Sequence, residues 1–307
     1  MDIYLPIAEV SVNAPLLVLL GAVVGFVSGL FGIGGGFLMA PVLVFLGVPP
    51  AVAVASQASH VVASSTSGVI SYSLQKAVDY RMGIVMAAGG AAGAVVGVEI
   101  FRYLRLLGQA ELVVSVAYLI FLGSIGALML KESLTQILNR RRGITPRPQP
   151  RRRPLWLYGL PLRMRFPKSG LYISAIPPFG LGVFAGILSA IMGVGGGFIL
   201  VPAMLYVLRM RAQVVVGTSL FQIIITTAIT TVLQAGRNQT VDIVLATLLL
   251  VGGVIGAQYG ARLSTRFRAE ELRAALGLIV LLVGLQMGLE LFVRPSEVFA
   301  VAPGVAS

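Results

Sequence analysis

The stretch GLFGIGGGFLMAP at 29–41 returns as AIMGVGGGFILVP at 190–202. At a constant shift of 161 positions, nine residues between Gly21 and Pro41 meet identical residues between Gly182 and Pro202. Farther along, the glycines at 89, 90, 93 and 97 meet those at 252, 253, 256 and 260 at a shift of 163, so two residues are gained in between. Matches in one order predict an internal repeat, with homologous halves at roughly 15–131 and 171–293.

The composition assigns the chain to the membrane class. Of its 307 residues, 57% are apolar and 11% are charged, and the mean hydropathy is +0.94, whereas soluble domains carry about 25% charged residues. Several apolar runs reach about 20 residues, enough for a helix to cross a hydrocarbon layer of about 30 Å. The absence of cysteine and the single histidine, His60, exclude disulfides, thiolate metal sites and multi-histidine centres. No metal or cofactor is expected.

Each half contains five apolar segments. In the first half they lie at about 16–31, 37–47, 51–75, 82–101 and 111–130, and in the second at about 171–192, 198–208, 212–235, 241–261 and 271–293. The segment after each glycine cluster has 11 residues, which as a helix covers about half the membrane. The predicted fold is an all-α polytopic membrane protein built from two repeats, each with four long helices and one short helix after a glycine-rich turn.

The distribution of Lys and Arg predicts how the segments are oriented. If all ten cross and the central linker is cytoplasmic, 19 basic residues face the cytoplasm and four, Arg102, Arg105, Arg237 and Arg294, face outward. If the two short segments re-enter instead, the division is 15 to 8. The positive-inside rule favours the ten-segment arrangement with both termini outside. Because five is odd, the repeats are then inverted, which is typical of transporters with a substrate site at the repeat interface.

The expected organisation has five parts. They are an extracytoplasmic N-terminus at 1–15, a first transmembrane repeat at 16–130, a cytoplasmic linker at 131–170, a second transmembrane repeat at 171–293 and an extracytoplasmic C-terminus at 294–307. The linker carries RRRGITPRPQPRRRP at 140–154, whose prolines and like charges favour a solvated segment. We expect its arginines to contact anionic headgroups of the lipid bilayer rather than nucleic acid or substrate.

The glycine clusters GIGGGF at 32–37 and GVGGGF at 193–198 are the strongest local indication of a binding site. Successive glycines allow positive φ and can turn their N–H groups toward one point. The helix that follows adds free N–H groups and a positive dipole end. The candidates for binding an anion without a charged side chain are therefore Gly34, Gly35, Gly36, Gly195, Gly196 and Gly197. The alternative is a tight turn where helices pack closely.

The duplicated GGGF clusters with a proline four residues later, the polar segment after them and the basic central linker resemble the sulfite exporter TauE/SafE family of membrane permeases. The resemblance covers both halves. It implies transport of sulfite, sulfonates or related small sulfur-containing anions across the bacterial inner membrane. The pattern does not select the anion, so thiosulfate or a carboxylate stays an alternative. Export or import, a coupling proton or other ion, and assembly into a homo-oligomer are left open.

The third segment of each half carries polar side chains on one helical face. That face holds Ser56, His60, Ser64, Ser67 and Ser71 in the first half, and Ser219, Gln222, Thr226, Thr230 and Gln234 in the second. Polar groups in hydrocarbon must find partners or line water, so these faces are expected to point inward. The predicted substrate contacts are Ser56, Gln57, Thr218 and Ser219, and the predicted polar path is His60, Ser64, Gln222 and Thr226. The alternative is hydrogen bonding between helices.

Other polar and small residues have competing or structural interpretations. His60 is a candidate proton carrier or a structural histidine, and at the shift of 161 Phe221 stands in its place in the second half. Glycines spaced by four residues, including those at 21, 25 and 29, are expected to permit close helix packing. Asp79 and Asp242 are expected in solvated loop pairs with Lys76 and Arg237.

A secondary transporter of a small anion is the function that these features favour. An intramembrane enzyme would need paired acids, a metal cluster or a nucleophile with its base, and none occurs within the predicted spans, so no catalytic residue is assigned. A purely structural membrane protein gives no reason for duplicated glycine turns before helices. The sequence lacks a GxxxxGK[ST] motif, which favours an ion gradient or the anion's own gradient over ATP as the energy source.

Overall fold

The computed structural model describes residues 2–31, 33–141, 161–263 and 269–293, which form ten helices and two β-hairpins. The first half contains β1 (Asp2–Leu5), β2 (Val10–Asn13), α1 (Ala14–Phe31), α2 (Gly36–Phe45), α3 (Pro50–Leu74), α4 (Tyr80–Leu106) and α5 (Ala110–Arg141). The second contains β3 (Arg163–Phe166), β4 (Leu171–Ser174), α6 (Ile176–Met192), α7 (Gly197–Tyr206), α8 (Ala212–Leu233), α9 (Ile243–Leu263) and α10 (Ala269–Val293). A π-helical turn, Gln234–Asn238, continues α8.

The helices confirm the predicted class, an all-α polytopic membrane protein. Five segments are long and apolar enough to cross a membrane: α1, α4, Leu112–Thr135 in α5, Val214–Asn238 in α8 with its π turn, and α9. Helix α3 has 25 residues but is not among these five, because its serines, Gln57 and His60 lower its hydropathy. Large apolar side chains such as Leu19, Ile255 and Leu282 are exposed. Exposed apolar surface of this kind is what contact with lipid requires.

The predicted linker is partly regular structure. Helix α5 continues past 130, where the fifth apolar segment was expected to end, and stops at Arg141. At the other end of the linker, β3 pairs antiparallel with β4, and Phe166 on β3 is fully buried. Residues 142–160, with most of the arginine-rich stretch, lie outside the described residues, as does the predicted C-terminal part at 294–307.

The helices pair across the two halves in a pattern that is unchanged when the halves are exchanged. Helix α1 packs along α9 and α4 packs along α6, and the helices of each pair run in the same direction. Helices α5 and α10 pack in opposite directions, since Gly126 lies against Leu281 while Gly123 lies against Gly284. Helices α3 and α8 contact each other, and each also packs on the fourth helix of the other half, α9 and α4 respectively.

The contacts of the glycines spaced by four residues confirm their predicted role in helix packing. A Cβ built on Gly21, Gly25 or Gly29 of α1 would lie under 3.0 Å from a backbone atom of α9, and the strip on α6 meets α4 in the same way. Only glycine allows such close backbone approach, which is the way membrane helices gain van der Waals contact. The α1–α9 and α4–α6 pairs are therefore closely packed units.

Asp79 and Asp242 are buried helix caps, so their assignment to solvated loop pairs is wrong. Asp79 accepts from Met82 N at 3.2 Å and from Ser169 N and Oγ at 2.9 and 2.6 Å. Asp242 caps α9 in the same way and accepts from Ile7 N of the first hairpin at 3.0 Å. Each carboxylate gains several donors in exchange for its lost water, and each ties a β-hairpin to the start of a helix.

Candidate functional site

The two glycine clusters form turns with matching backbone conformation. In the first glycine turn (residues 33–36), Gly34 and Gly35 have φ of 85° and 71°. In the second glycine turn (residues 193–197), Gly195 and Gly196 have φ of 72° and 71°. Residues with a side chain rarely adopt positive φ, which explains why glycine occupies these positions. Every residue of both turns is buried.

The two turns touch each other inside the protein. A Cβ built on Gly36 would lie 2.9 Å from Val194 Cα, and one built on Gly197 would overlap with the carbonyl of Ile33. The predicted glycine candidates, Gly34–Gly36 and Gly195–Gly197, are thus brought together in one place. The sequence predicted this convergence from the repeat, and the structure adds that the contact is between backbones.

Each turn ends in the N-terminus of a short helix. Helix α2 begins at Gly36 and α7 at Gly197, and their caps, Gly35 and Gly196, supply no side-chain hydrogen bond to the first turn. First-turn N–H groups lack intrahelical acceptors, and a helix start carries about half a positive charge. Two such starts meeting in a buried region form an electropositive backbone site without a charged side chain.

Helices α3 and α8 cover the turns with one apolar and one polar layer. Val61 and Ile223, both fully buried, lie next to both turns: a Cβ built on Gly34 would lie 3.1 Å from Val61 Cγ1 and 3.2 Å from Ile223 Cγ2. The same Cβ would lie 3.4 Å from Ser65 Oγ, and one built on Gly195 would lie 2.9 Å from Thr227 Cγ2. Hydroxyl-bearing side chains from both halves therefore reach the turns.

Unpartnered polar atoms concentrate on the helices that surround the turns. Among the described residues, eight buried side-chain atoms have no hydrogen-bond partner, and six of these belong to α1, α6, α3 and α8: Ser28 Oγ, Ser189 Oγ, Ser65 Oγ, Gln57 Oε1, Gln222 Oε1 and His60 Nδ1. Ser28 and Ser189 occupy equivalent positions in the repeat, and a Cβ built on Gly35 would lie 2.9 Å from Ser28 Cβ. Folded proteins pair nearly all buried polar atoms, so this concentration indicates groups available to a ligand or to water.

Two of the predicted polar residues contact the turns. Gln57 Nε2 donates to the carbonyl of Met192, directly before the second turn, at 3.1 Å. Ser64 Oγ donates to the carbonyl of Gly34 at 3.4 Å and to that of Val61 at 3.3 Å. Their contacts bring one residue of the predicted substrate shell and one of the predicted polar path to the glycine turns.

Three other predicted substrate contacts have partners elsewhere. Asp242 N donates to Ser56 Oγ at 2.8 Å, and Asp79 N donates to Thr218 Oγ1 at 3.0 Å. Ser219 Oγ donates to the carbonyl of Val216 in its own helix at 2.9 Å. The first two hydroxyls hold the starts of α9 and α4, so they serve the scaffold in this conformation.

These capping contacts correct the alignment of the two halves. Ser56 and Thr218 make equivalent bonds and lie 162 positions apart, so the counterpart of His60 is Gln222 and not Phe221. A Cβ built on Gly253 would lie 2.5 Å from His60 Nε2, and one built on the equivalent Gly90 would lie 2.7 Å from Gln222 Nε2. Between Thr218 and Gly253 the second half gains one more residue. This gain coincides with the π turn that continues α8, since a π turn accommodates one inserted residue.

The polar path residues are used differently in the two halves. His60 Nε2 lies 3.2 Å from the carbonyl of Gly21, whereas Gln222 Nε2 donates to Thr226 Oγ1 within α8 at 2.7 Å. All three side chains are fully buried. They form two equivalent polar positions where α3 crosses α9 and where α8 crosses α4, rather than one continuous row.

Sequence reasoning missed four residues of this site. Ser28 and Ser189 were visible as matches in the repeat, and that duplication beside the glycine clusters could have identified them. Ser65 gave no such indication. Tyr118 of α5, fully buried, donates from its hydroxyl to the carbonyl of Met192 at 2.6 Å, a contact that depends on how α5 packs.

Pockets open toward opposite ends of α3. The α3 N-terminal pocket, of about 370 Å³, lies near Pro49, Ala51 and Val52, and the α3 C-terminal pocket, of about 360 Å³, lies between the end of α3 and Gln258 and Arg262 of α9. The glycine turns lie beside residues in the middle of α3, and no residue of either turn lines these two pockets.

Comparison with known proteins gives consistent matches over most of the chain. The model of the family described as sulfite exporter TauE/SafE matches residues 17–287. A probable membrane transporter protein of Xylella fastidiosa (strain 9a5c) is 30% identical over 269 residues, covering 86% of this chain and 91% of the relative. The probable membrane transporter protein YunE of Bacillus subtilis is 26% identical over 89% of this chain and 96% of its own length.

A plant protein matches over a shorter stretch. The sulfite exporter TauE/SafE family protein 3 of Arabidopsis thaliana is 35% identical over 107 residues, which cover 34% of this chain and 22% of the plant protein. No solved structure matches this chain.

Proposed function

Since the chain belongs to the sulfite exporter TauE/SafE family of membrane transporters, we propose that it is a secondary transporter that exports a small sulfur-containing anion, such as sulfite or an organosulfonate. Its relatives are named as membrane transporters, which points away from an enzyme. The multi-pass architecture agrees with this, and an inner-membrane location is consistent with a bacterial transporter.

The observation that carries the proposal is the contact of two uncapped helix starts at the glycine turns, beside unpartnered hydroxyls. Sulfite and sulfonates present several oxygen acceptors, which match backbone N–H groups and the hydroxyls of Ser28, Ser65 and Ser189. Each helix start favours an anion by about 0.3–1 kcal/mol, and by up to ~2 kcal/mol when partly buried. Inserting an Arg or Lys at the midplane costs about 2.5–3.5 kcal/mol on translocon scales. A dipolar site is therefore suited to weak and reversible binding.

Alternating access between inverted repeats is the proposed mechanism, and the helix directions support it. Helices α5 and α10, each the fifth of its half, run in opposite directions, while α1 and α9 run in the same direction. Ten alternating segments give this pattern, whereas re-entry of α2 and α7 would make α5 and α10 parallel. In the proposed cycle the α1–α9 and α4–α6 units move about the crossing of α3 and α8, and the buried turns open toward one side at a time.

A transport assay tests the proposal directly. The purified protein is reconstituted into liposomes, and the uptake of radiolabelled sulfite and methanesulfonate is measured with unlabelled thiosulfate and acetate as competitors. We expect saturable uptake of a sulfur oxyanion that exceeds uptake by protein-free liposomes. The variant Thr66→Val serves as a control, because Thr66 is exposed and bonds within α3. If none of these anions crosses faster than in protein-free liposomes, the proposal is wrong.

The orientation has its own test, since the protein has no cysteine. Single cysteines are introduced at Ser11, on the first hairpin, and at Lys131, in the cytoplasmic extension of α5, and labelled in intact cells with a membrane-impermeant thiol reagent. The 19-to-4 division of basic residues predicts labelling of the first and not the second. The reverse result would contradict the proposed orientation, and labelling of neither or both in intact cells would contradict a single fixed topology.

A further inference from the structure

The α3 N-terminal pocket combines features of an anion site that lies apart from the glycine turns. Its wall includes Ala51 and Val52 in the first turn of α3, Ala110 at the start of α5, Thr240 and Arg105. Helices α3 and α5 have 25 and 32 residues, so each start presents a positive dipole end. In α3, Val52 N already donates to the carbonyl of Pro49 at 2.9 Å.

Thr240, which lines the pocket, has a buried hydroxyl without a partner. Thr240 is 1% exposed, and its Oγ1 has no hydrogen-bond partner although it can both donate and accept. An unpaired buried hydroxyl is unfavourable unless a ligand or water completes it. The neighbouring Gln239 has a φ of 51°, which turns the chain so that both residues border the pocket.

Arg105, which lines the same pocket, belongs to a group of neighbouring arginines. Arg105 Nη1 donates to the carbonyl of Asn238 at 2.7 Å, which holds the guanidinium between the end of α4 and the π turn. Beside it, Glu99 pairs with Arg237 and lies 3.8 Å from Arg102. Three of the four arginines that the charge distribution assigns to the outer side are thus neighbours, with one carboxylate among them. The guanidinium of Arg105 keeps further N–H donors for a ligand.

We propose that the α3 N-terminal pocket is an external anion-binding vestibule, in which Arg105, Thr240 and the starts of α3 and α5 bind a small oxyanion. Gln57, at the second glycine turn, lies five residues beyond Val52 along α3, or about 7.5 Å at the helical rise. The vestibule would therefore be the last binding step of an exported anion. Only this transport role rests on the proposed function; anion binding in the pocket stands by itself.

The test uses the reactivity of one engineered cysteine. Ala51→Cys places a thiol in the pocket, and its labelling rates are measured in intact cells with two impermeant reagents, the anionic sulfonatoethyl and the cationic trimethylammonioethyl methanethiosulfonates. We expect the anionic-to-cationic rate ratio to exceed that of Ser11→Cys on the exposed hairpin. Adding Arg105→Gln should lower the ratio about tenfold, since one charge near the thiol acts oppositely on the two reagents. Arg105→Lys should restore it.

Two controls keep the result specific. Arg262→Gln, in the opposite pocket, should leave the ratio unchanged. Millimolar methanesulfonate should slow the labelling of Ala51→Cys by the cationic reagent, and this slowing should be smaller when Thr240→Val is also present. An equal labelling-rate ratio at Ala51→Cys and Ser11→Cys, or a ratio that Arg105→Gln does not change, would contradict the proposed vestibule. Selective labelling without transport in liposomes would contradict only the proposed function, and transport without selective labelling would contradict only the vestibule.

Discussion

Two groups of buried hydroxyls, one on α3 and α8 and the other on α1, α3 and α6, differ in their surroundings. Toward the N-termini of α3 and α8, Ser56 and Thr218 accept hydrogen bonds from the backbone of Asp242 and Asp79 and so fix the starts of α9 and α4. Next to the glycine turns, Ser65, with Ser28 and Ser189 on α1 and α6, has no partner for its hydroxyl. All five side chains are buried to 1% exposure or less.

This difference separates scaffold from site. A paired buried hydroxyl stabilises the fold, and its removal leaves the other partner unsatisfied at a cost of about 1–3 kcal/mol. An unpartnered hydroxyl already carries that cost in the empty protein, so its removal costs little. The two groups should therefore respond in opposite ways to the same chemical change.

The largest effect is expected at the carboxylates that complete the paired region. Asp79→Ala leaves the N–H groups of Met82 and Ser169 and the hydroxyl of Ser169 without their acceptor. Loss of a cap and of buried partners should lower the free energy of unfolding by about 3 kcal/mol. Thermal unfolding in detergent checks this, with Thr66→Val as the control. A midpoint equal to that of the control would show that the capping contact contributes nothing.

A smaller loss is expected at the paired hydroxyls. Ser56→Ala and Thr218→Val each leave one buried backbone N–H unpaired, which should cost about 1–3 kcal/mol in stability. Anion affinity in the folded fraction should stay within about twofold of wild type, because these hydroxyls point at the scaffold. Thermal unfolding with and without the transported anion measures both quantities. A loss of anion affinity at wild-type stability would show that these residues contact the substrate.

The unpartnered hydroxyls should show the opposite response. Single changes Ser28→Ala, Ser65→Ala and Ser189→Ala should leave the empty protein as stable as wild type or more so, and each should weaken anion binding about threefold to tenfold, the worth of one hydrogen bond. The rise in unfolding midpoint on adding anion reports the affinity. Clear destabilisation of the empty variants would mean that these hydroxyls have partners and belong to the scaffold.

The smallest effect is expected at His60. The corrected alignment makes Gln222 its counterpart, so His60→Gln gives both halves the same residue at equivalent helix crossings. Glutamine can still donate to the carbonyl of Gly21, and we expect flux within about twofold of wild type, with the response to an imposed pH gradient unchanged. If the gradient no longer drives flux in this variant, His60 carries a coupling proton and the structural interpretation is wrong.

Local pattern determined what the sequence could predict of the fold. The short helices were expected at 37–47 and 198–208 and occupy Gly36–Phe45 and Gly197–Tyr206, because a glycine turn with positive φ marks the start of each. The packing glycines could be identified for a similar reason, since spacing by four residues is a property of one helix. The extension of α5 and the β-hairpins were missed, because charge and proline content say little about short-range pairing.

Contacts between distant elements determined the rest of the site. Asp79 and Asp242 look like loop residues in sequence, and only the packing of each hairpin on a helix start buries them. Ser56 and Thr218 were assigned to the substrate by their proximity in the repeat, but the rotation of α3 and α8 turns them to the helix caps. The counterpart of His60 was misassigned because the constant shift of 161 positions was applied to α3 and α8. One inserted residue before these helices changes the register by one position, which corresponds to a rotation of 100° about the helix axis.

Glycine replacements cannot separate transport from packing at the turns. A Cβ on Gly35 would lie 2.9 Å from Ser28 Cβ, and the φ of 71° opposes any side chain there. Gly35→Ala and Gly196→Ala are therefore expected to reduce transport, but both the anion site and simple crowding predict that loss. The serines beside the turns are the better probes, since alanine removes a hydroxyl without adding volume.

The central claim is that the glycine turns hold the anion, and the triple variant Ser28→Ala/Ser65→Ala/Ser189→Ala tests it most directly. Binding of sulfite and methanesulfonate to the purified protein is titrated by calorimetry beside Ser56→Ala as the matched scaffold variant. We predict that the triple variant unfolds at or above the wild-type midpoint and binds the anion at least about tenfold more weakly, whereas Ser56→Ala is less stable and binds normally. Wild-type affinity in a stable triple variant would contradict the claim and place the anion elsewhere.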